Sequence, residues 1–346
     1  MLNFIYMKCG IIGLPNTGKS TFFNLISNSK ALSENFPFCT IEPNYGITKV
    51  PDKRLYELKK IINSPTTKII PSEIKIVDIA GLIKGAHKGE GLGNKFLSHV
   101  RETNVIIHMI RFFRDKSVLH VEGSVNPIRD KEIIDMELQF KDIETIEKKL
   151  EKTIKKNQVN KSTHILKKIS SFLKEGKNIR MYPFQENEQE YIKDLQLLTV
   201  KPVLYICNLD IDDKKLDQKT NLHIESMKKM VKRENSTLVI LSLKKNCIEL
   251  DQVLKNTYKL LNLQSFFTIG KKEIRSWSIP NPCTAYEASS VIHTDFKKGF
   301  IRAKVIHYND FIKHRSEENV KKAGKILLAG KNYLIQDGDL IHFRFN

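Results

Sequence analysis

The run Gly13-Leu14-Pro15-Asn16-Thr17-Gly18-Lys19-Ser20 is a complete GxxxxGK[ST] pattern. Its residue types suit a triphosphate tail. Backbone N–H groups from Asn16 through Thr17, Gly18, Lys19 and Ser20 to Thr21 can curl around a β-phosphate at a helix N-terminus, where peptide dipoles favour negative charge. Lys19 adds a point charge for the β- and γ-phosphates, and the Ser20 hydroxyl is a hard oxygen ligand of the kind Mg²⁺ takes. The second half of such a site is Asp78-Ile79-Ala80-Gly81, with Asp78 holding Mg²⁺ through water and the Gly81 amide facing the γ-phosphate. DxxG alone is a weak signal, and the upstream loop gives it meaning. Between the two lies Asn35-Phe36-Pro37-Phe38-Cys39-Thr40. Thr40 is placed to close on Mg²⁺ when a γ-phosphate is present; the bland alternative is an ordinary loop hydroxyl.

These residues need elements to hold them. Asn3 to Ile12 is an apolar run ending at Gly13, and Phe22, Phe23, Leu25 and Ile26 follow at helical spacing just after Lys19. Strand, loop and helix are therefore predicted, as the motif requires. Ile74 to Ile79, Val105 to Ile110 and Val203 to Cys207 are further buried strands, with a helix around Lys95 to Glu102. Continuous apolar strands separated by helices indicate an α/β fold with a parallel sheet covered on both faces.

The long gap before Val203 has its own pattern. From Ile133 to Leu173 the apolar residues, including Ile143, Ile146, Leu150 and Ile154, then Ile165, Ile169, Phe172 and Leu173, fall at helical spacing, with the polar stretch Lys155 to Thr163 between. An antiparallel helical hairpin inserted into the α/β domain is predicted. From Lys141 to Arg180 there are 12 basic and 5 acidic residues, a net of +7, so the hairpin reads as an exposed basic arm or as a solvated helical face. After Leu263, Phe300 to Ile306, Lys325 to Leu328 and Leu340 to Phe345 alternate between the turn signals Lys298-Gly299 and Asp337-Gly338. That predicts a small β-rich module with a helix near Tyr286 to Val291.

Composition bounds the rest. The 346 residues include 58 Lys+Arg against 39 Asp+Glu, a net of +19, with 40% hydrophobic residues. Such a chain can close two or three cores, and its charge favours a polyanion such as nucleic acid or the ribosome. Cys9, Cys39, Cys207, Cys247 and Cys283 show no CxxC spacing, which argues against a disulfide framework or zinc cage and for a reducing compartment. No apolar run approaches membrane-spanning length and no signal-peptide pattern opens the chain, so no membrane partner is expected.

GLPNTGKSTFFN, NFPFCTIEPN, VDIAGLIKGAHKGEGLGNKFLSHVRE, VNPIRD, KPVLYICN and VIHTDFKKGFIRAKVI with QDGDLIHFRFN resemble the Obg-like ATPases, the YchF branch of the translation-factor-related P-loop proteins. The resemblance runs from about Met7, similar to the family's usual start, to Asn346. It implies a P-loop domain interrupted by a helical coiled-coil-like domain and followed by a TGS domain, a small β-grasp module. The boundaries expected are 1–124 and 201–263 for the two parts of the P-loop domain, 125–200 for the insertion and 264–346 for the TGS domain. It further implies a cytoplasmic, Mg²⁺-dependent ATPase that binds ribosomes. The contact expected is with the large subunit, through ribosomal RNA met by the basic arm and TGS-like module.

GTP-specific relatives read guanine with NKxD, whose carboxylate pairs with two guanine donors. Here the corresponding strand end is Asn208-Leu209-Asp210-Ile211. Leu209 replaces the lysine, and Ile211 stands at the acidic position, where the similar family motif has Glu. Asn208 and Leu209 are expected around an adenine base. A GTPase of the same fold remains the alternative, since Asp210 or Asp212 could swing in. Leu82 follows the DxxG where Ras-type GTPases place a water-orienting glutamine. His87, within a loop containing Gly85, Gly89, Gly91 and Gly93, is the candidate replacement, and similar family members carry His here; a solvated loop histidine is the alternative. With Lys19 and Gly81 it completes the expected catalytic set. A ribosome or RNA adaptor whose nucleotide site is only a conformational switch is the remaining rival. Cys39 is a candidate for oxidation or an inert thiol, and His293, Asp295 and Lys297 are expected to serve a structural or ligand-contact role.

Overall fold

The computed structural model describes residues 7–27, 43–62, 65–79, 81, 85, 92–156, 160–210, 217–244, 248–270 and 272–346. The proposed strand start at Asn3, together with Cys39, Thr40, Leu82, His87, Gly89, Gly91, Ile211, Asp212 and Cys247, lies outside them. In chain order the elements are β1 (Lys8–Ile12), α1 (Lys19–Ser27), β2 (Asn44–Lys49), α2 (Lys53–Ile62), β3 (Lys68–Ile70), β4 (Glu73–Asp78), α3 (Leu92–Arg101) and β5 (Val105–Arg111). There follow α4 (Pro127–Lys155), α5 (Lys161–Lys174), α6 (Glu190–Lys193), β6 (Val203–Asn208), α7 (Gln218–Arg233), β7 (Thr237–Leu241) and α8 (Ile248–Leu260). The chain ends with β8 (Leu263–Ile269), β9 (Glu273–Pro280), α9 (Ala285–Ile292), α10 (Thr294–Lys298), β10 (Phe300–Ile306), α11 (Tyr308–His314), α12 (Glu317–Lys322), β11 (Leu327–Ala329) and β12 (Leu340–Phe345).

One six-stranded sheet has the order β2-β4-β1-β5-β6-β7, and its pairings from β4 through β7 are parallel. Every residue of β5 and β6 is buried, as continuous apolar strands inside a doubly covered sheet must be. Because β1 is flanked by β4 on one side and β5 on the other, the strand order reverses there, and the loops after β1 and β4 open into one crevice.

The helical hairpin grows from this unit. Pro127 starts α4 behind the N-cap Asn126, whose side chain accepts from the Arg129 amide; proline is preset for a first helical turn. Ile133, Ile134 and Leu138 at the root of α4 join the core of the parallel sheet. Further along, Ile146 packs with Ile165, Leu166, Ile169 and Leu173 of α5 in a second core. Asn160 and Thr163 form a capping box that starts α5, within the polar stretch expected to separate the helices. Gln139 donates to the Gly176 carbonyl and to Asn178 Oδ1, and Lys174 pairs with Glu147 at 2.7 Å, so α5 runs back along α4. Beneath the hairpin, the buried Lys131 ammonium donates to Asp135 and to Glu234, and Glu234 also accepts from Arg180 and the Tyr205 hydroxyl. The Lys131 ammonium is thus paired with two carboxylates, as burial demands, while Arg180 Nη2 is buried without a hydrogen-bond partner.

The second sheet has the order β11-β10-β12-β8-β9-β3. Its antiparallel pairs β8–β9 and β10–β12, and the helix α9 with its Thr284–Glu287 capping box, form the expected β-rich module. The chain divides into two compact units, one containing 8–46 and 75–253, the other 47–74 and 254–346. This differs from the four-segment division at residues 254–263, which go with the C-terminal unit, and in two further ways. Residues 47–74 go with the C-terminal module, because Leu55 and Leu58 of α2 pack with Phe267, Ile274, Phe311 and Leu340 and β3 pairs with β9. The hairpin is not a separate unit, since the root of α4 shares the first sheet's core. His293 accepts from the Asp295 amide as the N-cap of α10, and Lys297 lies over the Tyr286 ring.

Candidate functional site

The loop after β1 turns sharply. Gly13 has φ +152°, and a Cβ there would sit 2.4 Å from the Met109 carbonyl oxygen; Gly18 has φ +97°, and a Cβ would meet Asn208 Nδ2 at 2.7 Å. Only glycine serves at these two positions. Asn16 takes φ +60°, a conformation asparagine tolerates, and its side chain donates to the Leu119 carbonyl at 3.1 Å. Thr17 is buried and bonds the Leu14 carbonyl. Lys19 and Ser20 open α1, while Thr21 is exposed on that helix. The loop amides thus lie at a helix N-terminus, where anions are favoured.

Lys19 is buried, and its Nζ donates to the Leu14 carbonyl at 2.8 Å. Burial lowers its pKa to about 8, against the attraction of Asp78. Asp78, 3% exposed at the end of β4, has its pKa raised by burial, opposed by Lys19 and by hydrogen bonds from Ser20 and Asn44. The Ser20 hydroxyl donates to Asp78 Oδ2 at 2.9 Å. Gly81 belongs to the same cluster: a Cβ there would lie 3.1 Å from Lys19 Nζ and from Pro15. Ser20 and Asp78 therefore present two hard oxygens within reach of one small cation beside the lysine, which fits Mg²⁺. Among the described residues no group of three or more His, Cys, Asp or Glu could hold a metal ion. The donor set here is that of an ion shared between a few protein oxygens, water and substrate phosphates.

Asn208 closes β6 and Leu209 follows it, and both are buried. Asn208 Nδ2 donates to the Thr17 carbonyl at 3.0 Å and its main-chain carbonyl accepts from the Phe112 and Phe113 amides. Asn208 thus ties the phosphate loop to the strand ends where a base would lie. The Leu209 side chain packs in the sheet's core, and its amide donates to the Leu241 carbonyl at 2.8 Å. Asp210 pairs with Lys244 at 2.8 Å. Sequence reasoning missed two residues. Arg111, closing the apolar strand β5, is buried and donates to the carbonyls of Phe113, Asp115, Val118 and Leu119, so it shapes the turn on which Asn16 rests. Glu137 is buried on α4 and its Oε1 accepts from the Gly85 amide at 2.6 Å. A charged residue on an otherwise apolar helical stripe, beside Ile134 and Leu138, was the available signal.

Comparison with known proteins gives the family. A family described as a 50S ribosome-binding GTPase matches residues 8–166, and the YchF-GTPase C-terminal family, described as a protein of unknown function, matches residues 263–346. The chain is 44% identical to the ribosome-binding ATPase YchF of Buchnera aphidicola subsp. Schizaphis graminum and 40% identical to that of Bacillus subtilis; in each case the match covers 98% of this chain and 99% of the relative. The solved structure of the Schizosaccharomyces pombe YchF GTPase is similar over 98% of this chain and 97% of its own, with a TM-score of 0.82 at 35% identity. With full-length likeness of this degree and a P-loop, DxxG aspartate and strand-end asparagine gathered in one crevice, the chain belongs to the YchF family.

Proposed function

We propose that this protein is a ribosome-associated, Mg²⁺-dependent ATPase acting in the cytoplasm, with the large ribosomal subunit as its partner. The observation that carries the catalytic part is the cluster of Lys19 Nζ, Ser20 Oγ, Asp78 and Gly81 at the mouth of the phosphate loop. The loop amides hold the phosphates, and Lys19 exchanges the Leu14 carbonyl for phosphate oxygens. Ser20 and Asp78, with Thr40 proposed on sequence alone, would hold Mg²⁺, which supplies charge neutralisation at the transferred phosphoryl group. His87, also proposed on sequence alone, orients the attacking water. The barrier falls by positioning and electrostatic stabilisation rather than covalent catalysis.

Adenine is favoured over guanine by what stands after Asn208. Leu209 brings no lysine to the base, and the Asp210 carboxylate is engaged by Lys244. The printed names of similar proteins differ here, ATPase for the bacterial relatives and GTPase for the S. pombe structure, so a GTPase is the second reading. The ribosome part is supported by the names of the bacterial relatives, by the net charge of +19 and by the basic hairpin. No helix among the described residues is long and apolar enough to cross a membrane. The C-terminal module is proposed to be a TGS domain, supported by its six-stranded sheet and capped α9.

Calorimetric titration with MgATP tests the site: wild type binds, and Lys19→Ala loses at least a hundredfold in affinity while remaining folded by circular dichroism. Cosedimentation with ribosomes tests the partner, and no ribosome-bound protein at moderate salt would overturn that part.

A further inference from the structure

The C-terminal unit holds a cavity of about 450 Å³, and none of its lining residues belongs to the phosphate loop or to the cluster around Asp78. It lies between the last turn of α2, the turn joining α11 to α12, and strands β10 and β12. Seven of its twelve lining residues are apolar, and Ile306, Phe311 and Leu340 among them belong to the core that α2 shares with the second sheet. Small-molecule sites have this character: they are mostly apolar with a few placed polar groups and measure roughly 300–1,000 Å³.

Strand register orders the polarity of the cavity. β10 and β12 pair Ile306 with Leu340 and, two residues along, Lys304 with His342. Residues two apart on a strand share a face and stand about 7 Å apart, so the lining passes from an apolar end to a basic end over that distance. Lys304 is already engaged by Glu317. The Arg315 guanidinium, exposed at the edge of the cavity, has neither an ion pair nor a hydrogen-bond partner among the described residues.

Arg315 is also an unusual choice for its position. It closes α11 at φ +60°, in the left-handed conformation where glycine or asparagine usually stands because a Cβ crowds the backbone. Of the six non-glycine residues with positive φ among the described residues, four are asparagine, and Arg315 is the one that carries a charge. A local rule broken at the rim of a cavity marks a side chain kept for what it does there.

We propose that this cavity binds a small amphipathic carboxylate, its apolar body over Ile306 and Leu340 and its carboxylate on Arg315. A guanidinium fork matches the two oxygens of a carboxylate, and an imidazole N–H of His342 is a second donor at the same end. A sugar or other polyhydroxylated ligand would bury its hydroxyls against an apolar floor without partners, which is costly. An inorganic anion would use only the rim. The site is separate from the nucleotide crevice, so the proposal stands whichever base that crevice takes.

Calorimetric titration of the full chain with octanoate tests this, with octanol and acetate as probes of the two halves. Octanoate should bind at one site per chain, and octanol and acetate at least tenfold more weakly. Arg315→Gln should weaken octanoate at least tenfold and leave octanol within twofold, whereas Ile62→Trp, which fills the apolar end, should weaken both. Arg315→Gly relieves the backbone at this position, so it should unfold at no lower a temperature than the wild type while losing octanoate as Arg315→Gln does. Acetate binding as tightly as octanoate would reduce the site to a surface anion contact, and octanol binding as tightly would remove the carboxylate from it. Absence of octanoate binding, or an affinity unchanged in Arg315→Gln, would overturn the proposal outright. Earlier thermal unfolding of Arg315→Gly with octanoate affinity retained would make Arg315 a structural residue and overturn it as well.

Discussion

Asn208 at the end of β6 holds Thr17 in the phosphate loop, Nδ2 to carbonyl oxygen at 3.0 Å, although the two stand 191 positions apart in the chain. The bond is buried, and it fixes the loop's distance from the strand end where a base would lie. Asn208→Ala leaves the Thr17 carbonyl without this donor, a loss of about 1–3 kcal/mol. MgATP affinity should fall roughly 5- to 100-fold with no gain in MgGTP affinity, measured by competition against a fluorescent analogue. An unchanged affinity would show that the bond does not shape the site.

Glu137 connects α4 to Gly85, the residue four positions beyond the DxxG glycine, through a 2.6 Å hydrogen bond. Glu137→Ala should lower kcat for ATP about tenfold while leaving the Kd for ADP within twofold, because ADP makes no demand on the residues that meet a γ-phosphate. A change of equal size in both would place Glu137 in general stability instead.

The histidine proposed to orient water gives a similar split. His87→Ala should cut ATP turnover by about 10²-fold or more and leave MgATP affinity close to that of the wild type. If turnover is unaffected, the attacking water is placed by another group.

His108 should steepen the loss of folding stability in acid. It is buried in β5, with its ring 5.4 Å from the Tyr205 ring. Burial lowers its pKa to about 3, reinforced by Lys131, Arg180 and Lys19 and opposed by Glu234. The unfolded chain takes up this proton near pH 6.5, so the folded state binds fewer protons below that value. The contribution is complete above pH 6.5 and is lost as pH falls towards about 3, at roughly 1.4 kcal/mol per pH unit. Urea unfolding at pH 6.5 and 4.5 should show a steeper loss for wild type than for His108→Gln. Equal losses would mean that other groups set the acid limb.

Local chemistry was legible in the sequence, and distant pairing was not. The P-loop declared itself because Gly13, Gly18, Lys19 and Ser20 act within a single turn, and the capped α9 and strand β10 followed from nearby turn residues. The hairpin was visible in its apolar spacing, but its start at Pro127 lies ahead of that pattern, because charged residues such as Lys131, Asp135 and Glu137 interrupt the stripe while being buried and partnered. Leu209 was expected at the base, and its side chain is buried in the core of the first sheet. The placement of α2 and β3 with the C-terminal sheet depends on contacts such as Leu55 with Phe267, which join segments more than 200 residues apart and leave no local signature. Arg111 and Glu137 were missed for the same reason: their hydrogen bonds go to main-chain groups, which every sequence contains.

Nucleotide choice tests the central claim most directly. Purified wild-type protein should hydrolyse MgATP at least tenfold more efficiently, as kcat/KM, than MgGTP, with both activities removed by Lys19→Ala. A kcat/KM greater for GTP than for ATP would contradict the assignment of this crevice to ATP.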